Sequence, residues 1–359
     1  MRTSTCDTWA TTRAPSQRST ECAVHAPTAR RDRRHDRHLD ADQADRPPQS
    51  VLERVLRAHH EPAPQRAPDV RAGAGRADHR AGLGLPVHRR PYQGAAVAVA
   101  DGGPRLVAAT LAAQRPQWTP GTAHGYHSRT WGWLVGEVIR RVSGRTPGRF
   151  FAEEIAAPVG LDFFIGLPVE QRNRISRMVY QRPAVDLTAV PAEAVPEELR
   201  EQVAAWRDPQ SFSNRAYAVT DPAEIDFDSP DVQAAELPAS NGVGTARALA
   251  RMYAALIGKV DGVRLLTPET LESATKEQAK GKDQVMLIPS RFSSGYMLPT
   301  ETNPMIGLNS FGHTGRGGSL GFADPEHGIA FGYAMNNIIG GLNDLRATSL
   351  VEAVRKSLA

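Results

Sequence analysis

A chain of 359 residues is long enough to bury a sizeable core, and its length admits one large domain or two small ones. Its averages, 40% hydrophobic and 23% charged with a net charge of +4, look ordinary. No run approaches 18 apolar residues, so no membrane-spanning helix is expected.

These averages conceal a sharp internal boundary. Residues 1–95 contain no Phe, Ile or Lys, but hold 17 Arg against 8 Asp and 3 Glu, a balance of +6, and seven of the eleven His. The remainder has 26 basic and 28 acidic residues, or −2, so the basic character belongs to the front quarter alone. A basic arm for nucleic acid or an anionic membrane is one reading. Against it, Asp, His and Pro are scattered among the arginines, as in Arg31-Asp32-Arg33-Arg34-His35-Asp36-Arg37-His38. That texture is the one GC-rich coding sequence gives when translated out of frame, and this is the reading preferred here. The segment 1–95 is therefore expected to be disordered or frameshifted, with too few large apolar residues for a core, and neither a nucleic-acid nor a membrane partner is expected. Cys6, Cys22 and His25 form only a single Cys-x-x-His, too weak a signal to assign a metal. Met1 to Ala10 has no apolar stretch of the secretory kind, which makes the cytoplasm the expected location.

From about Leu106 the chain reads as a folded protein. Trp118-Thr119-Pro120-Gly121 is a turn. Trp131, Leu134, Val135, Val138, Ile139 and Val142 repeat at helical spacing, with Ser128 as the expected N-cap and Gly144 as the stop. Thr146-Pro147 opens a second helix that ends at Gly160. Residues 183–236 are acidic, Pro-rich and weakly periodic, which predicts short helices and loops. Thr245 caps a helix carrying Leu249, Met252, Tyr253, Leu256 and Ile257, and Thr267-Pro268 starts a shorter one. The period then changes: Gly312 to Asn336 predicts two strands, around His313 and across Ile329 to Met335, joined by a turn at Asp324–Gly328. A last helix spans about Asp344 to Leu358.

Two segments could carry chemistry. Gly125-Tyr126-His127-Ser128 lies in a loop just before a helix, where a phenol can act as a general base if nearby cations lower its pKa. Phe311-Gly312-His313-Thr314-Gly315-Arg316-Gly317-Gly318-Ser319 reads as an edge strand whose polar side chain and backbone N–H groups could line an acyl site. Five glycines within 312–321 call for a backbone reason.

Together these strings resemble the family of class C β-lactamases, D-Ala-D-Ala peptidases and related esterases. The likeness rests on Trp118-Thr-Pro-Gly-Thr-Ala-His-Gly-Tyr126, Asn241-Gly-Val-Gly-Thr245 and the run from His313 to Pro325, and covers about 106–359. A His after the tyrosine, and His in place of Lys before Thr-Gly, resemble the esterase-like branch. The resemblance implies a mixed α/β (α+β) fold, an antiparallel sheet flanked by helices plus a helical region, for a domain 106–359 whose N-terminal part is incomplete. It implies a serine carboxylesterase working through an acyl-enzyme on a small-molecule ester, with Tyr126 as base, His313, Thr314 and Gly315 at the acyl site, and no metal or cofactor. The alternatives are a β-lactamase or D-Ala-D-Ala carboxypeptidase, and a non-catalytic degenerate member; the oligomeric state stays open.

The family's nucleophile is the serine of a Ser-x-x-Lys ahead of the tyrosine. No Ser-x-x-Lys precedes Tyr126, since the first Lys is Lys259, and the nucleophile is left unassigned. Ser273-Ala274-Thr275-Lys276 matches the pattern in the wrong chain order and reads as an exposed helix end. Gly317-Gly318-Ser319-Leu320-Gly321 matches a nucleophile elbow, but no helix is expected after it, so Ser319 reads as structural.

Overall fold

The structure, a computed structural model, describes residues 103–181, 189–217, 226–339 and 344–358, with the backbone of a short strand, β1 (Thr11–Arg13). Apart from β1, residues 1–95, Cys6, Cys22 and His25 among them, lie outside the described residues. Helix α1 (Gly103–Ala112), which the sequence reading did not mark, packs on α2 (Thr130–Ser143). Helix α2 stops as expected, because Gly144 takes φ 71° and returns its N–H to the Arg140 carbonyl. Its start differs from expectation: Ser128 is not the cap. The N-cap place falls to Arg129, whose guanidinium has no acceptor to offer the first N–H groups and instead donates to Ser240 Oγ. The side chain of Thr146 accepts the Arg149 N–H at the head of α3 (Pro147–Phe151). The helix continues through a π-helical turn (Ala152–Ala156) and Ala157–Val159, and ends at left-handed Gly160.

The acidic middle holds the short helices α4 (Arg200–Arg207), α5 (Phe212–Tyr217) and α6 (Pro230–Ala234), as predicted; outside it lie the short strands β2 (Phe163–Phe164), β3 (Val179–Gln181) and β4 (Val243–Gly244), which pairs with β2. Helix α7 (Ala246–Ile257) is capped by Thr245 and α8 (Pro268–Thr275) by Thr267, each through a hydroxyl accepting a backbone N–H.

The sheet is built from β5 (Ala279–Lys282), β6 (Pro289–Phe292), β7 (Phe311–Thr314), β8 (Leu320–Asp324) and β9 (Ile329–Tyr333), and every pairing among them is antiparallel. The strand order is β1-β9-β8-β7, and Met297, bridged to both Phe292 and Gly312, connects β7 to the β5–β6 hairpin. Three strands thus occupy Gly312–Asn336 where the sequence predicted two. The omitted one, β8, is buried along its whole length, so it lacks the polar alternation that marks a half-exposed strand. A separate strand, β10 (Asn337–Ile339), runs parallel to β3.

Alternate residues of β8 and β9 serve opposite faces. Leu320, Phe322, Ile329 and Phe331 join Ala347 and Val351 of the last helix, α9 (Arg346–Leu358). Ala323 and Ala330 join Phe311 and the α7 residues Tyr253 and Leu256 on the other side. Helix α7 approaches so closely that a Cβ on Gly321 would stand 2.6 Å from the ring of Tyr253. Among the described residues no helix is long and apolar enough to cross a membrane.

Candidate active site

The tyrosine loop is fixed from both sides. Trp118 folds back to donate its indole N–H to the Ala123 carbonyl, and its ring packs over Gly125, with Val285 on the same residue. The Gln284 N–H donates to the His124 carbonyl at 2.9 Å, and the Tyr126 N–H donates to Asp283 Oδ1 at 3.1 Å. Asp283 is fully buried, and the same oxygen accepts the N–H groups of Val285 and Met286, both at 2.8 Å. Held this way, the ring of Tyr126 meets two others. Phe292 of β6 stacks on it with centroids 6.2 Å apart, and His313 of β7 at 5.9 Å, with planes 28° apart. Two residues separated by 187 positions therefore share one site, as the motif reading required.

His313 donates Nδ1–H to the Thr314 carbonyl at 2.6 Å; a carbonyl only accepts, so this contact fixes the proton on Nδ1 and leaves Nε2 as an acceptor. Thr314 is exposed at the end of β7, its hydroxyl 3.9 Å from Met297 Sδ. Gly312 exchanges hydrogen bonds with Met297, and by strand alternation Thr314 aims its N–H to that same side. Gly315 differs from expectation as a donor: its N–H is engaged by the Ser319 carbonyl at 2.6 Å, and Ser319 Oγ occupies the place a Cβ would take. The glycine run turns the hairpin, with Gly317 and Gly318 both at positive φ. Arg346 clamps that turn by donating to the carbonyls of Gly317 (2.7 Å) and Asn337 (2.9 Å) while pairing with Asp344.

The electrostatics depart from one expectation. Burial raises the Tyr126 phenol above its ordinary pKa; the Arg129 guanidinium pulls it down and the Asp283 carboxylate pushes it up. Arg129 does not prevail, so the cation-lowered phenol expected of a general base is not what the described residues build. Desolvation also holds His313 below the usual histidine range, partly offset by its bond to Thr314, which keeps the imidazole neutral at neutral pH. Burial, then the charges of Tyr126 and Asp283, push the Tyr217 phenol up while Arg316 pulls it down, which places both residues within electrostatic reach of the site.

Neither alternative serine gains from the structure. Ser273 is exposed near the end of α8, with Lys276 beyond it. Ser319 leads into a strand and not into a helix. A third grouping, Ser290, His124 and Asp283, resembles a hydrolytic triad without its geometry. His124 turns one nitrogen, Nε2, toward both Ser290 Oγ (2.8 Å) and Asp283 Oδ2 (3.9 Å), whereas a triad needs a different ring nitrogen for each. Asp324, with donors from Ser310 and His327, is a buried turn anchor at the far end of β8. Among the described residues no three His, Cys, Asp or Glu side chains are grouped to hold a metal.

Residues 77–352 match the family described as Beta-lactamase. The chain belongs to that family. The matched stretch begins ahead of residue 106 and inside the Arg-rich segment. Within this β-lactamase family, the chain is 34% identical over 225 residues to "Esterase/beta-lactamase LipL" of Mycobacterium tuberculosis, covering 60% of this chain and 49% of the relative. The chain thus spans about half the length of the curated relative it matches. Among solved structures it resembles EstA from Arthrobacter nitroguajacolicus Rue61a (33% identity, TM-score 0.61, 70% of this chain and 64% of that one). It also resembles a family VIII carboxylesterase (32%, TM-score 0.58, 72% and 65%). The fold is β-lactamase/transpeptidase-like, mixing helices with an antiparallel sheet as expected.

Proposed function

We propose that this β-lactamase family chain is built as a serine carboxylesterase, cleaving short acyl esters through an acyl-enzyme, with Tyr126, His313 and the Thr314 N–H around the reacting carbonyl. The observation that carries the reading is the stacking of Tyr126 on His313 at 5.9 Å. The esterase names of the relatives support it, as does the uncharged His313: a neutral acceptor suits an uncharged ester better than an anionic lactam. The phenol needs a neighbouring cation to become a base near neutrality, and in this family that cation is the Lys beside the nucleophile. With no Lys before Lys259, the written chain is expected to turn over slowly. The stretch between β1 and residue 77, where the family match begins, holds on this proposal the out-of-frame remains of the segment that carries Ser-x-x-Lys.

The test is hydrolysis of p-nitrophenyl butyrate by the written chain and by a version whose 5′ coding stretch is re-sequenced and restored in frame. The restored enzyme should be active and lose several orders of magnitude on Tyr126→Phe; the written chain should be near background. Cleavage of a chromogenic cephalosporin without ester hydrolysis would install the lactamase alternative, in keeping with the second half of the LipL description. Inactivity of both versions on both substrates would leave a degenerate scaffold. Robust turnover by the written chain that is lost on Ser319→Ala or Ser273→Ala would overturn the assignment in favour of that serine. Turnover that survives both changes would direct attention to a serine of the Arg-rich segment ahead of Tyr126, such as Ser50.

A further inference from the structure

We propose that Asp283 is the positioning residue of this site, the group that sets where the Tyr126 phenol stands. The inference deepens the esterase reading, and only its kinetic arm rests on that reading. Asp283 follows β5 at the start of the loop that leads to β6, and its carboxylate organises three elements at once. Oδ1 closes the turn on itself by accepting the Val285 and Met286 N–H groups, then accepts a third, the Tyr126 N–H, from 157 positions away. Oδ2 faces the Ser290 hydroxyl at 3.5 Å, and Ser290 in turn holds His124 Nε2 at 2.8 Å, on the same loop as the tyrosine. The bond to Tyr126 joins the backbone of the reacting residue itself, so a shift of the carboxylate moves the phenol directly.

Full burial makes this arrangement stringent. An aspartate on a turn is ordinarily solvated, and one sunk out of water is retained where its oxygens are satisfied by donors. Three backbone N–H groups on one oxygen meet that condition, and they would be left unpaired together if the side chain were shortened. Among the described residues the titratable and charged groups that face Tyr126 are Asp283, Arg129, His313 and Tyr217, and Asp283 is the one carboxylate of these.

The experiment uses the full chain in its frame-restored form, with Asp283→Asn and Asp283→Ala. The amide keeps the volume and one accepting oxygen, so Asp283→Asn should fold; its carbonyl can still receive the three N–H groups. With p-nitrophenyl butyrate, kcat should fall about tenfold in Asp283→Asn and about a hundredfold in Asp283→Ala, the scale of a small misplacement of a reacting group, with KM within about twofold. Independently of turnover, meta-fluorotyrosine placed at position 126 is titrated by fluorine NMR in both backgrounds. Loss of the carboxylate should lower its midpoint by about half a pH unit. A change in stability alone would leave that midpoint in place. An unchanged midpoint, or a loss carried by KM, overturns the positioning role. A parent without esterase activity sinks the esterase reading, and the fluorine titration still decides the role of Asp283.

Discussion

The indole of Trp118 lies so close over Gly125 that a Cβ there would stand 2.7 Å from Cη2, with Val285 Cγ2 at 3.0 Å on the same residue. The backbone of Gly125 is not left-handed, so the objection to a side chain is room alone.

Gly125→Ala should therefore displace the tyrosine loop, at a stability cost of about 1–3 kcal/mol for overpacking and a disproportionate loss of hydrolysis. Thermal melts and p-nitrophenyl butyrate turnover check both. Adding Trp118→Phe should restore part of each, because the two positions share one contact; a strictly additive double variant would contradict this geometry.

His313 gives a signed dependence on acid. Its folded pKa lies below the 6.5 of the unfolded chain, so below that value the unfolded state binds the extra proton. Stability should fall as pH drops through this window. Urea midpoints for the parent and His313→Gln, compared above and below the ordinary histidine range, should show a smaller acid loss in the glutamine variant.

Asp324 acts at lower pH. Burial pushes its carboxyl up, but donors from Ser310 and His327 prevail and hold it below 3.8. Its contribution is thus complete above that unfolded value and vanishes as pH falls toward the folded one. Asp324→Asn should cost about 1–3 kcal/mol at neutral pH and flatten the acid limb of a denaturation curve. An unchanged limb would assign acid sensitivity to other carboxylates.

Gly332 marks where α7 meets the sheet. A Cβ would lie 2.8 Å from the Ala250 nitrogen and against the Ala246 carbonyl, both backbone atoms of the helix. With no flexible neighbour to yield, Gly332→Ala should cost about 3 kcal/mol, measured by chemical denaturation. A near-neutral variant would mean that the helix slides freely on the sheet.

Local signals carried much of this fold. Thr146, Thr245 and Thr267 each cap the helix expected of them, and Gly144 ends α2, because a hydroxyl before Pro or Ala and a glycine after an apolar stripe act within a few residues. The pairing of Tyr126 with His313 was legible because both sit in recognisable strings. Asp283 was not: in Lys282-Asp283-Gln284 it looks like a solvated turn, and its value arises from a partner 157 positions away. The raised phenol of Tyr126 escaped for the same reason, since desolvation is a property of the assembled loop, hairpin and strand. Ser128 failed as a cap because the helix begins at Thr130, one residue later than that reading requires, which puts Arg129 at the N-cap.

The clamp of Arg346 on the Gly317 carbonyl makes the chain's last helix and the His-Thr-Gly hairpin a single mechanical unit. Peptide engineering at the C-terminus is therefore engineering at the hairpin that carries His313. Trimming α9, or hanging a bulky fusion on it, pulls on the glycine turn that ends in Thr314 and Gly315, and an affinity tag for this protein belongs at the other end of the chain.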